Sequence, residues 1–192
     1  MAVATLPSTI EGWKTWLNTY KPRTAYPDDP PSLECVKLAL AAVEKGNFGI
    51  GCVLHDPEGK EAVRGNSNHV FEPYFRSDFH GEMVVLDEFE TRFRDVASMK
   101  GYTLYTSLES CPMCMARLIT SGCGTVLYVA PDPTGGMVHL MESLPPVWLD
   151  LMRKRRPAQV FGQAKCSPDL RQAGIAMLAL SGPDLNQKLI NR

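Results

Sequence analysis

The chain has no uninterrupted apolar stretch long enough to span a bilayer. A membrane-spanning helix needs about 20 such residues, so this excludes a helical membrane protein. It has no surplus of either charge: 20 Lys and Arg against 21 Asp and Glu give a formal net charge of −1. A dedicated nucleic-acid binder usually carries a basic surplus, and this balance argues against one. Residues Met1 to Pro7 lack a basic region and an apolar core, so no secretory signal is expected. Internal repeats and low-complexity tracts are absent, which excludes a solenoid or a long disordered tail. Cysteine is limited to six residues. Four of them, Cys35, Cys52, Cys123 and Cys166, lie mostly in apolar runs. They read as buried free thiols of a cytoplasmic protein rather than as disulfides.

What is there is enough for one domain with a sizeable core: 192 residues, 44% hydrophobic and 21% charged. Residues 1–31 form an extension, with an amphipathic segment Glu11 to Tyr20 and a connector containing Pro22, Pro27, Pro30 and Pro31. The core, 32–162, reads helix, strand, strand, helix, strand, helix, strand, helix, strand. Its first helix is expected from Ser32 to Lys45, capped by Ser32. Two strands, Phe48 to His55 and Glu61 to Arg64, flank the turn Asp56-Pro57-Glu58-Gly59 and should form a hairpin. Further strands are expected at Tyr102 to Leu108, Thr125 to Val129 and Ala158 to Phe161. The basic run Arg153-Lys154-Arg155-Arg156 reads as the solvated end of a helix, stopped by Pro157. The tail, 163–192, belongs to the same domain and reads as two short helices split at Ser181-Gly182-Pro183. Strands joined through helices favour a parallel arrangement, whereas the first two are antiparallel. The expected architecture is α/β, a three-layer α-β-α arrangement around a mixed five-stranded sheet.

The chemistry concentrates in two short motifs, His80-Gly81-Glu82 and Cys111-Pro112-Met113-Cys114. One imidazole and two thiolates are three protein ligands for Zn²⁺. Three rather than four is the count of a catalytic zinc site, where a position stays open for water. Cys111 and Cys114 stand three apart, so one turn of helix turns both to the same side. Ser110 is the expected N-cap of that helix, and Pro112 is tolerated in its first turn. A helix N-terminus and a metal both lower thiol pKa, so both cysteines should bind as thiolates. His80 also opens a helical segment, Gly81 to Phe93. Two helix starts should therefore converge on one zinc ion per chain. Zinc lowers the pKa of a bound water from ~15.7 to about 7, and Glu82, two residues after His80, is free to move the protons. Burial should raise the Glu82 pKa and the cation should lower it. A redox Cys-x-x-Cys would not require the upstream His-x-Glu. A structural zinc site would want a fourth ligand, for which Cys123 and Cys166 are candidates.

With these motifs the chain resembles the cytidine deaminase-like superfamily, in particular its tRNA adenosine deaminase, guanine deaminase and fungal cytosine deaminase branch. The resemblance is carried by Asn47-Phe48-Gly49, Gly65 to Asn68, His80-Gly81-Glu82, Thr103 to Leu108 with Cys111-Pro112-Met113-Cys114, and Asp132-Pro133-Thr134-Gly135-Gly136, over roughly residues 33–140. It implies strand order 2-1-3-4-5, the last strand parallel to the fourth. It implies His80, Cys111 and Cys114 as zinc ligands, Glu82 as proton shuttle, removal of ammonia from an amino-substituted ring, and a homodimer. Trp13, Trp16 and the tail are candidate contact surfaces for that dimer. The family contacts the ring with an Asn shortly after the second strand. The Asn-His-Val order makes Asn68 the better match, with Asn66 the alternative. The family usually has Pro directly before the first cysteine, where this chain has Ser110.

The substrate reading rests on charge and on the aromatic approach to His80. Phe79 and Phe75 are the candidates to stack on a planar ring, with Glu109, Asp132 and the tail as further wall elements and His69 and His139 as supporting groups. The leading expectation is deamination of a free nucleobase or related amino-heterocycle, of guanine, cytosine or aminotriazine type. The alternative is adenosine-to-inosine deamination of tRNA. A non-catalytic zinc module acting through partner binding is the alternative from another class.

Overall fold

The computed structural model describes residues 6–63 and 70–192. The sheet has five strands, β1 (Cys52–His55), β2 (Glu61–Val63), β3 (Thr103–Leu108), β4 (Thr125–Ala130) and β5 (Val160–Gln163), in the order β2-β1-β3-β4-β5. β1 pairs antiparallel with both β2 and β3, while β3, β4 and β5 run parallel. Order and directions are those expected. The helices are α1 (Ile10–Thr19), α2 (Asp29–Glu44), α3 (Gly81–Arg92), α4 (Pro112–Ser121), α5 (Pro146–Arg153) and α6 (Pro168–Ile190).

Alternation along the strands sorts the two helical layers, because successive side chains point to opposite faces. Val53, Tyr105, Leu127 and Val129 pack with Trp13 and Leu17 of α1, Val36 and Ala39 of α2, and Leu170 and Met177 of α6. Leu54, Leu104 and Val126 pack with Val85, Leu86 and Phe89 of α3 and with Leu118 of α4. α5 closes the second face against Met115 and Ile119. Trp13 is only 2% exposed, so it is a core residue and does not offer the contact surface expected of it.

Several boundaries depart from expectation. α2 begins at Asp29, not Ser32, with Pro30 and Pro31 inside its first turn. Proline is harmless there, since those N–H groups have no intrahelical acceptor. Asp29 is buried and anchors three elements at once. Its carboxylate accepts from Tyr20 Oη (2.8 Å), Arg23 N (3.0 Å) and Ser167 N (2.7 Å). β5 starts at Val160 because Gln159 is buried beneath it, donating to the carbonyls of Leu118 (3.0 Å) and Cys123 (2.9 Å). Of the basic run, Arg155 donates to the carbonyls of Ile119 (2.9 Å) and Thr120 (3.2 Å), so it neutralises the end of α4 rather than that of its own helix.

The tail is one helix of 23 residues with Pro183 inside it, not two. An interior proline costs a helix about 3 kcal/mol. Burial on both sides of it offsets that cost: Met177 lies in the main core, and Leu185 packs with Phe48 and Val70. Gly174 lets α6 lie directly on the sheet, since a Cβ there would sit 2.7 Å from the Ser107 carbonyl. None of the helices among the described residues is long and apolar enough to cross a membrane.

Candidate metal centre and active site

Two helix N-termini meet at the carboxyl end of β3. His80 is the N-cap of α3 and Cys111 the N-cap of α4, with Cys114 in the first turn of α4. The ligand atoms of His80, Cys111 and Cys114 all lie within 4.8 Å of one another. Cys111 Sγ is 3.6 Å from His80 Nδ1. Imidazole with two thiolates is a zinc donor set. The fit is that of an open site, because His80 and Cys111 face a cavity while Cys114 is fully buried behind them. Cys123 and Cys166 do not join this group. Cys123 donates to the Thr125 carbonyl, and Cys166 is packed in the core beside Leu170. No cysteine of the chain is in a disulfide, and Cys35, Cys52, Cys123 and Cys166 are all buried.

The electrostatics suit a metal. The Cys111 thiol is held down to about 4, first by donation from the Cys114 thiol and further by His80. Cys114, as that donor and as a buried group, is pushed well above the ordinary thiol value. Burial alone would lower the His80 imidazole, but the Cys111 thiolate outweighs it and the net shift is upward. A metal replaces these shared protons by coordination, leaving both sulfurs as thiolates.

Glu82 is 3% exposed and sits in the first turn of α3. Its pKa is raised, chiefly by burial and then by the negative charge of Cys111. Its Oε1 accepts from Ser110 Oγ at 2.9 Å, and its Oε2 lies 3.4 Å from Cys114 Sγ. Ser110 was expected to cap α4. Instead α4 starts one residue later, Cys111 occupies the cap position with no side-chain bond, and the serine hydroxyl is turned to the carboxylate.

The cavity above these groups measures about 360 Å³. It is lined by His80, Glu82 and Cys111, by Phe48, Ile50 and Leu108, by Glu109, Asp132, Thr134 and Gly135, and by Leu178, Asn186 and Leu189 of α6. Crevices at the carboxyl ends of strands are the usual ligand sites of open α/β sheets. Glu109 and Asp132 therefore stand in the wall, as expected, but their polar atoms hold the wall together. Glu109 accepts from Asp132 N (3.1 Å), His139 N (2.8 Å) and His139 Nδ1 (2.8 Å). Asp132 Oδ1 accepts from Thr134 N (3.1 Å) and Gly135 N (2.9 Å), which shapes the loop.

The aromatic candidates lie elsewhere. Phe79 stacks under the Arg76 guanidinium, 3.8 Å from the ring centre, and lines a separate groove on the outer face of α3. Phe75 packs on Phe71 and under Arg192. Among the described residues the ring in the cavity lining is Phe48. It belongs to the Asn47-Phe48-Gly49 stretch, so the residue was visible and its role was not. Leu178, Asn186 and Leu189 carried no local signal, because their common face exists only once α6 is laid across the site. Buried Asn47 supports the approach to His80, its Oδ1 accepting from Phe71 N (2.7 Å) and Glu72 N (3.0 Å). Asn66, Asn68 and His69 lie outside the described residues.

A mixed sheet of this order with a His-Cys-Cys centre at paired helix starts, and a buried glutamate beside it, defines the zinc deaminase class. The chain belongs to the family described as the cytidine and deoxycytidylate deaminase zinc-binding region, whose model matches residues 31–130. It is 38% identical over 111 residues to the tRNA-specific adenosine deaminase of Bacillus subtilis (strain 168), a match that covers 58% of this chain and 66% of that protein, just under two thirds of its length. A solved structure from studies of A-to-I editing by tRNA:A34 deaminases shares the fold with a TM-score of 0.55 at 24% identity, over 67% of this chain and 93% of the other. The guanine deaminase from Nitrosomonas europaea shares it with a TM-score of 0.58 at 17% identity, over 95% of this chain and 99% of the other.

Proposed function

We propose that the protein is a zinc-dependent hydrolytic deaminase of a free nucleobase or related amino-heterocycle of guanine, cytosine or aminotriazine type, releasing ammonia. The carrying observation is the small cavity of about 360 Å³, whose lining joins His80, Glu82 and Cys111 to residues of α6. Its size is at the lower end of small-molecule sites, about 300–1,000 Å³. His80, Cys111 and Cys114 would hold the zinc ion, which when bound acidifies a water so that a nucleophile exists at neutral pH. Glu82, with its carboxyl pKa raised by burial, is suited to take a proton from water and give it to a ring nitrogen, then to carry a second proton from the added hydroxyl to the leaving amine. Phe48 offers an aromatic face to a planar ring, and Ile50, Leu178 and Leu189 keep bulk water from the carboxylate.

The second reading is adenosine-to-inosine deamination of tRNA, favoured by the 38% identity to the Bacillus subtilis protein. Against it stands the net charge of −1, since holding RNA around a flipped-out nucleotide calls for a basic surface. The likeness to the guanine deaminase fold over 95% of this chain, tail included, supports the free-base reading as a matter of shape.

The two readings part on salt and substrate. Zinc-loaded protein is expected to release ammonia from at least one of guanine, cytosine, adenine or an aminotriazine. Its rate should change less than about twofold between 50 and 200 mM salt, because a neutral ring releases no counterions. Turnover confined to a tRNA anticodon stem-loop, falling steeply with salt, would replace this reading by the second. Silence towards every ring and the RNA would bring the non-catalytic module forward.

The reading includes a cytoplasmic homodimer. Its contact surface is drawn from the exposed apolar residues Val147 and Leu151 of α5 and Val160 of the edge strand β5, the last 53% exposed. Light scattering at micromolar concentration should give twice the chain mass, and a monomer there would remove the dimer from the reading.

A further inference from the structure

We propose that Ser110 is a positioning residue for Glu82, its hydroxyl holding one oxygen of the buried carboxylate in place. The inference rests on the deaminase reading for its consequence, but its geometry stands by itself. Ser110 is 1% exposed and lies between the end of β3 and the start of α4. Its hydroxyl donates to Glu82 Oε1 at 2.9 Å, across 28 residues of sequence and between the two helix starts that carry the metal ligands.

Three observations give this contact weight. The hydroxyl is not used as a helix cap, since α4 is capped by Cys111 without a side-chain bond. The serine backbone is held from the opposite side, its carbonyl accepting from Met137 N at 2.8 Å, so the hydroxyl is presented from a fixed point. The Glu82 carboxylate is buried on the end of a flexible side chain, with Cys114 Sγ on its other oxygen at 3.4 Å. Ser110 Oγ is the oxygen donor on that carboxylate, at 2.9 Å, while Cys114 Sγ lies farther off at 3.4 Å. Oε1 is then the held oxygen and Oε2 the one turned toward the metal ligands. Proline at position 110 has neither a hydroxyl nor a backbone N–H to offer.

The test compares zinc-loaded wild type, Ser110→Ala and Ser110→Thr by zinc content, crystal structure and steady-state kinetics on whichever ring the wild type turns over. All three should hold one zinc per chain. In Ser110→Ala the Glu82 carboxylate should leave its wild-type position, and kcat should fall about tenfold to hundredfold while KM stays within about threefold, the pattern of a misplaced reacting group. Ser110→Thr keeps the hydroxyl and should restore both. The proposal is overturned if the carboxylate keeps its place in Ser110→Ala, if the loss is in KM alone, or if zinc is lost instead. It is equally overturned if Ser110→Thr holds zinc yet behaves as Ser110→Ala. A wild type that turns over no ring defeats the free-base reading, while the carboxylate position in Ser110→Ala still decides the role of Ser110.

Discussion

Replacing Glu82 by alanine is expected to lower kcat by about 10²–10⁴-fold with zinc still bound, the range for loss of a positioned general acid–base group. The direction follows from where the carboxylate lies. It is buried next to Cys114 and is not needed as a ligand, since His80, Cys111 and Cys114 form the metal group without it. Its raised pKa brings it closer to neutrality, where a group both accepts and gives up protons efficiently. Glu82→Gln keeps the size and an acceptor for Ser110 but removes the proton-carrying function, so it should lose as much activity as Glu82→Ala. Metal analysis beside steady-state ammonia release checks both variants. A Glu82→Gln enzyme within tenfold of wild type would mean that another group moves the protons. Loss of zinc in either variant would mean that Glu82 acts as a ligand.

Removing the metal should cost stability as well as activity. His80 heads α3 and Cys111 and Cys114 head α4, so one ion would tie together two helices otherwise joined by apolar packing and by the ion pairs of Arg117 with Asp87 and Glu90. A ligand present at about a thousandfold over its Kd stabilises by about 4 kcal/mol, which for a chain of this size is about 8–16 °C in Tm. Chelation should lower Tm by that order and abolish ammonia release, and added Zn²⁺ should restore both. His80→Ala should unfold near the chelated temperature and respond neither to chelator nor to zinc. A Tm unmoved by chelation of protein shown to hold zinc would contradict this coupling.

The grouping of His80, Cys111 and Cys114 beside Glu82 was legible because spacing alone determines their relation. A Cys-x-x-Cys at a helix start turns both sulfurs one way, and a glutamate two residues after a helix-capping histidine enters the same first turn. The strands were legible from apolar runs rich in β-branched and aromatic residues and from the turn between the first two, and the sheet order from the resemblance. Where the reading departed from the molecule, a contact distant in sequence had decided the matter. Ser110 has the chemistry of a cap, yet a buried carboxylate 28 residues away took its hydroxyl. Pro183 has the chemistry of a helix stop, yet Met177 and Leu185 are both buried and hold the helix through it. Phe79 stands next to His80 in sequence, but neighbours at a helix start diverge, and its ring went to Arg76.

The sequence by itself determined the candidate centre and the architecture that carries it: the possible metal-holding group His80, Cys111 and Cys114, the neighbouring carboxylate of Glu82, and a mixed sheet whose strand ends present them. These follow from short-range spacing and periodicity, which act within one turn or one strand. Only the tertiary structure decided the chamber around that centre. Phe48, the loop clasped by Glu109, and Leu178, Asn186 and Leu189 of the last helix come from distant parts of the chain. They meet because α6 must bury Leu170, Ala173 and Met177 against the sheet, and in doing so it lays its far end over the metal site. A substrate is selected by the shape of that enclosure, and enclosure is a property of packed elements rather than of any local run of residues.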